Sequence, residues 1–484
     1  MMKVFPALAP LAFLFSACGA DPMAEPATSS VNAPAAPVAV EPSPELAAIL
    51  DAVAVENYGW AIVEGLTTDI GPRLAGTEAE VRARDWTAAK FREIGLENVH
   101  IEEFEIPGWI RGLETAYLLP PFEQPLYITA LGGSVATPEG GVEAEIAYFP
   151  TFEALEGAPE DMDLSDKIVF ISGRMEKAPD GAGYGPANRK RRSGASEAAK
   201  RGAQAVMIRS VGTDSRRFPH TGQMRYAEDL PRIPIGALSA PDADQLERLL
   251  ERGETLSVRL TLTPRGPGPL PSGNVIGEIV GTTRPEEIVL IGAHLDSWDQ
   301  GTGALDDGAG IGIVAGAAQA IIESGQRPER TIRVVAFGAE EVGLLGGFAY
   351  ASRHADDLVN HVLATESDFG GEPFYEVLEG VSEGEEVIEE MARLLGVPMS
   401  DRPKTEGANT NGGPDITPLF NAGVPAMRLQ QDGTDYFDYH HTPDDTLDKL
   451  DPEAIRRNVE GFAVVSWLAA NADTDFRADE APSR

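Results

Sequence analysis

From Asn274 onward the chain repeats one pattern: short apolar runs with strand character alternate with stretches of helical periodicity. The strand runs are 287–291, 331–337, 361–365 and 426–429. Residues 310–323 and 344–353 carry the helical spacing between them, and 452–468 closes the pattern with Pro452 in a first helical turn. Parallel strands need a crossover of a dozen or more residues, and crossover helices cover both sheet faces, so this alternation predicts an α/β fold with a mostly parallel sheet flanked by helices. Polar clusters sit where these strands end. His294-Leu295-Asp296 and then Asp306-Asp307 follow the first, Glu340-Glu341 the second, and Glu366-Ser367-Asp368 the third; His440-His441-Thr442 follows the fourth after a loop. Open parallel sheets place their sites at the carboxyl ends of strands.

Acidic groups gathered at one sheet edge repel one another and shift each other's ionisation unless cations occupy the site, so Asp306, Asp307, Glu340, Glu341 and Asp368 point to bound metal. Oxygen-rich ligation with one imidazole per ion suits zinc with positions left open for water and substrate. Of the seven histidines in the chain, three lie in these clusters. Each cluster alone is an ordinary polar loop; four in order, three of them at strand ends, make a metal site. Two alternatives stay open. Strand alternation puts Glu366 on the same face as Asp368, and His440 competes with His441, with Thr442 favouring the latter. The glycines of Gly308-Ala309-Gly310-Ile311-Gly312 lack the full dinucleotide-binding spacing and read as close packing beside Asp306, and no HExxH, GxSxG or Walker A motif is present.

Upstream, residues 45–121 read as helices followed by extended chain. Ala83, Trp86 and Ala89 stand at helical spacing, and 99–106 alternates apolar with polar apart from one slip at Glu102-Glu103. Residues 122–262 have a rhythm of their own (strand 167–171, helix 195–202, strand 205–208), which predicts an inserted domain between the two parts of the main one, 45–121 and 263–475. The basic run Arg189-Lys190-Arg191-Arg192 inside it reads as a solvated loop. At the N-terminus, Met1-Met2-Lys3, an apolar run over 4–15 and Ser16-Ala17-Cys18 form an export signal (1–18), too short for a permanent span. The Ala/Pro/Ser-rich stretch 19–44 is a tether, and 476–484 a tail. A formal charge of −38 excludes binding to nucleic acid or anionic membrane through a basic face, and one cysteine excludes a disulfide framework and a multi-thiolate site.

The clusters resemble the zinc exopeptidase family of bacterial leucyl aminopeptidases, glutamate carboxypeptidase II and carboxypeptidase Q. Residues 70–77 (IGPRLAGT) and 106–112 (IPGWIRG) resemble the carboxypeptidase Q branch, and Asn274-Val275-Ile276-Gly277 the strand entering the catalytic domain. The resemblance implies a protease-associated domain at 122–262 and two zinc ions per chain. It also implies Asp306 as their bridge, His294 and Asp368 on one ion, Glu341 and His441 on the other, and Glu340 as general base. Asp296 would orient His294, and Asp307 would follow Asp306 through a cis peptide. Hydrolysis of dipeptides or short peptides by a zinc-bridging hydroxide follows, as an aminopeptidase or dipeptidase in preference to a carboxypeptidase, with a homodimer expected. Residues 16–18 resemble a lipoprotein processing site, with Phe15 where that pattern has Leu, which implies a periplasmic or envelope protein tethered by a lipid on Cys18. A rival is an exported protein of this fold that binds peptide or metal without turnover; an unligated Glu340 argues against it. An ammonium anchor needs acids and a carboxylate anchor needs Arg or Lys. Arg428 and Asp432 lie near the metal loops, and sequence places neither.

Overall fold

Seven strands form the sheet that carries the clusters, in the spatial order Glu97–Ile110, Arg265–Ile279, Arg330–Phe337, Arg284–His294, His361–Glu366, Ala426–Gln431, Phe374–Gly380. The four consecutive strands from Arg330–Phe337 to Ala426–Gln431 are parallel, while the pairings toward both edges are antiparallel, so the sheet is mixed and not mostly parallel. The reason is connection length. Only four residues separate Arg265–Ile279 from Arg284–His294, and seven separate His361–Glu366 from Phe374–Gly380, so neither link holds a crossover helix and the chain reverses.

This computed structural model describes residues 41–405 and 407–477. The expected signal sequence with Cys18, the tether up to residue 40 and the tail from 478 lie outside the described residues. Helices cover both sheet faces. Pro44–Val55, Tyr58–Gly65, Glu78–Glu93, Ala309–Glu323, Glu385–Leu395 and Pro452–Asn471 contribute to one core, and Leu345–Arg353 and Thr417–Asn421 to another. Ser43 caps the first helix through Leu46 N, with Pro44 in its first turn. Helix Glu78–Glu93 buries Ala83, Thr87, Ala88 and Phe91, and leaves Ala89 exposed: the buried stripe is turned from the one the apolar spacing suggested, because Arg84 goes inward on an ion pair with buried Glu80. The expected tail also starts late, since Phe476 is buried in the first core and Arg477 donates to the carbonyls of Val359 and His361.

A second sheet of eight strands draws on residues 114–262, in the order Gln124–Leu126, Glu114–Leu118, Ser257–Leu262, Val142–Phe149, Lys167–Ile171, Ala205–Arg209, Ile235–Leu238, Ile128–Ala130. Its strand Glu114–Leu118 lies ahead of Pro121, paired with Ser257–Leu262. The basic run is not a loop. It lies in the helix Tyr184–Ala199, and Lys190 and Arg191 keep only 2% and 5% of their surface exposed. Both reach oxygen partners from inside: Lys190 donates to Gly173 O, Arg191 to the Tyr184 hydroxyl. Arg189 and Arg192 behave as the composition suggested: both are exposed, and Arg189 pairs with Glu153 and Glu156.

Candidate metal centre

Strand register assembles the first half of the site. His294 pairs with Phe337 on one side and Gly292 with Glu366 on the other, so His294, Glu340-Glu341 and Asp368 all emerge at one sheet edge. His294 Nε2 lies 3.0 Å from Asp306 Oδ1 and 3.7 Å from Asp368 Oδ1. Its Nδ1–H donates to Asp296 O at 2.9 Å, which leaves the Nε2 lone pair for a ligand. The Asp296 carboxylate accepts from Glu340 N at 2.9 Å and Glu341 N at 3.3 Å, holding the two glutamates at the end of their strand.

Asp306 comes from the tight turn Ala304–Gly308, which three buried groups secure. Asp445 accepts from Ala304 N and Leu305 N at 2.8 and 2.7 Å, and Arg73 donates to the carbonyls of Leu295, Thr302 and Gly303. The Asp307 carboxylate accepts from His294 N and Gly310 N at 3.1 and 2.9 Å, so it is committed to the backbone. The Asp306-Asp307 peptide is cis. Gly310 is required here, since a Cβ would stand 2.1 Å from Ser367 O and 2.3 Å from Asp307 Oδ2.

The second half reaches Asp306 from the loop after Ala426–Gln431. His441 Nε2 lies 3.2 Å from Asp306 Oδ2 and 2.9 Å from Glu341 Oε2. His440 Nε2 is 3.6 Å from Asp306 Oδ2, and its ring stacks on His441 at 3.5 Å. His441 therefore meets two of the acids and His440 one. Glu366 turns away, accepting from Asp415 N at 2.9 Å, while Asp368 joins His294 and Asp306. His441 sits in the left-handed region (φ 62°), as does Ala339 (φ 60°) before Glu340; such backbone costs roughly 1–3 kcal/mol and marks sites the surroundings hold in place.

These residues fit divalent cations. Ligand atoms of His294, Asp306 and Asp368 cluster together, as do those of Asp306, His440 and His441, with Asp306 in both groups. Asp306 Oδ2 and Glu341 Oε1 are buried with no hydrogen bond, a costly state that a cation relieves. Burial holds Glu340 well above the ordinary carboxylate range, with His294 opposing and Asp368, Glu341 and Asp296 adding to the rise. A cleft of about 330 Å³ opens over the group, lined by Asp306, Glu340, Glu341 and Asp368 from the first sheet and by Arg191, Arg192 and Arg225 from the second body.

Sequence reasoning overlooked Arg73, Asp445, Arg191 and Thr221. Arg73 is the one charged residue of 70–77, a stretch that carries the family resemblance, which is the one signal that could have found it. Asp445, four residues beyond His441, and Thr221 carried no pattern.

Residues 274–466 match the model of Peptidase family M28. Carboxypeptidase Q of Bos taurus is 36% identical over 419 residues, covering 86% of each chain. Aminopeptidase YwaD of Bacillus subtilis (strain 168) is 24% identical over 421 residues, covering 83% of this chain and 82% of that one. The crystal structure of a peptidase M28 precursor from Shewanella amazonensis SB2B superposes with a TM-score of 0.86 at 45% identity, over 91% of this chain and 98% of that one. Matched by that family model over residues 274–466 and by these relatives over most of its length, the chain belongs to peptidase family M28.

Proposed function

We propose that the chain is a two-zinc exopeptidase acting on dipeptides and short peptides, with Glu340 as general base. The observation that carries this is Asp306, which faces both imidazoles while half-buried Glu340 lines the same cleft outside the ligand groups. His294, Asp306 and Asp368 would hold one ion, and Asp306, Glu341 and His441 the other. When bound, two divalent cations acidify water and polarise a peptide carbonyl. Glu340 takes the proton from the attacking water and passes it to the leaving amine. Asp296 keeps Glu340 and Glu341 in register through their backbone N–H groups while its carbonyl orients His294.

Dipeptides are the favoured substrate class. Arg192 and Arg225 line the cleft without an ion pair among the described residues, and a guanidinium fork suits a free carboxylate. We read the body of residues 114–262 as the protease-associated insert, which narrows access, and the protein as exported, lipid-anchored through Cys18 and homodimeric. Mass spectrometry of the mature N-terminus and sedimentation test the last three.

The test of the main reading is hydrolysis of free, N-blocked and C-blocked dipeptides with zinc and with chelator, alongside Glu340→Gln. Chelator-sensitive cleavage that the variant loses supports it, and the blocked substrate that survives names the exopeptidase type. Tight metal binding without any cleavage favours an exported binding protein instead.

A further inference from the structure

We propose that the segment His220-Thr221-Gly222 of the second body is a working part of the metal centre: it sets the ring and backbone of His441, so that the cation site of His441 and Glu341 forms across two bodies. This rests on the two-zinc reading of the site. Thr221 N donates to His441 O at 3.0 Å, and Thr221 O lies 3.3 Å from His441 Nδ1, placed to accept its proton. His220 Nδ1–H donates to His440 O at 2.7 Å, which ties down the preceding residue. Arg191 donates to Thr221 O at 3.4 Å, and the same guanidinium nitrogen stands 3.4 Å from His441 Nδ1, where it meets that nitrogen as a rival donor whenever Nδ1 is unprotonated. Gly222 has φ 130°, and a Cβ there would come within 2.3 Å of the Arg191 guanidinium and 2.8 Å of His441 Nδ1. Only glycine lets this strand of backbone lie against the imidazole.

The two histidines are thus held by different means. His294 takes its Nδ1 acceptor from Asp296, two residues along, whereas His441 takes its acceptor from Thr221, 220 residues away in the loop between strands Ala205–Arg209 and Ile235–Leu238 of the second sheet. A local support depends on one sheet edge alone, and a remote one also on the contact that brings Thr221 to His441. The His294 site is therefore the tight one. The His441 site tightens only while the second body is seated, and loading it in turn seats that body.

Two measurements on the full chain test this. Zinc titration of metal-free protein by calorimetry resolves two equivalents of unequal affinity, and Gly222→Ala weakens the weaker one about 10- to 100-fold while sparing the other. His220→Gln, which keeps a donor, weakens it less. Two equivalents left unchanged by Gly222→Ala in a variant that unfolds at the wild-type temperature overturn the proposal. Nitrogen-15 NMR of the imidazoles at pH 8, without metal, reads the same contact directly. His441 is expected as the Nδ1–H form in the wild type and as a mixture in Gly222→Ala. An Nε2–H form in the wild type, or no change in the variant, refutes it. If the protein takes up no zinc, the two-zinc reading fails, and the NMR result alone decides whether Thr221 holds His441.

Discussion

The two sides of the centre differ in where their support comes from. On the His294 side, His294, Asp368, the orienting carbonyl and the backbone anchor of Glu340 come from or just beyond adjacent strand ends of one sheet, and Asp306 from the turn that follows. On the His441 side, the ligand rides on a loop in left-handed backbone and is braced by His220, Thr221 and Arg191 of the other sheet's body. A parallel sheet delivers several side chains to one edge by register alone, which is robust and local. A loop ligand has no such frame and must borrow one, which exposes it to anything that moves the lender.

The largest expected effect lies on the sheet-edge side. Glu340→Gln should lower kcat by about 10²–10⁴-fold while both zinc equivalents remain, as read by steady-state kinetics and metal analysis. A variant with near wild-type turnover removes the proton-transfer role and with it the claim that the sheet edge carries the chemistry. On the other side, Lys190→Met tests what the second body tolerates. Burial lowers the Lys190 pKa to about 7 from its ordinary 10.5, with Arg209 adding to the drop, so between those values the unfolded chain holds a proton that the folded one lacks. Stability then rises with pH across that window, and the penalty is complete below pH 7, at most about 5 kcal/mol. Denaturant unfolding should show the variant more stable than wild type at pH 6, with the gap closing toward pH 10; a gap independent of pH would contradict the buried charge.

Asp296→Ala is the counterpart of Gly222→Ala. It removes the acceptor of the Glu340 and Glu341 N–H groups, and should weaken zinc binding about 10- to 100-fold, measured by competition with a chelator. Because Glu341 belongs to the His441 ion and the Asp296 carbonyl that orients His294 survives the change, the loss should fall on the same equivalent as in Gly222→Ala; a loss confined to the other equivalent would contradict that assignment. The smallest effect belongs to Arg189→Ala. Its ion pairs with Glu153 and Glu156 are solvent-exposed, so stability should change by less than about 0.5 kcal/mol in a thermal or denaturant melt, against the large effect at neighbouring Lys190.

Much of this was legible in the chain. The four parallel strands and the helices Ala309–Glu323 and Pro452–Asn471 follow from periodicity, and polar residues at strand ends mark where the clusters meet, while the choice of His294, Asp306, Glu341, Asp368 and His441 among their members came from the family resemblance. The antiparallel edges were missed because strand direction depends on short links rather than on composition. Lys190 and Arg191 were misjudged because charged residues are normally solvated, and only the partners waiting at Gly173, Tyr184 and Thr221 make their burial tolerable. The choice of Asp368 over Glu366 turned on one backbone N–H, that of Asp415, which takes the Glu366 carboxylate.

What the sequence determined by itself is the set of chemical groups and the sheet edge where they meet, because side-chain period and strand order are local properties. What only the tertiary structure decided is how those groups are held: Arg73 gathering three carbonyls, Asp445 under the Asp306 turn, and Gly222 leaving room for His441. Each joins segments far apart in the chain, and no local pattern of residues records a contact whose partner lies more than a hundred positions away.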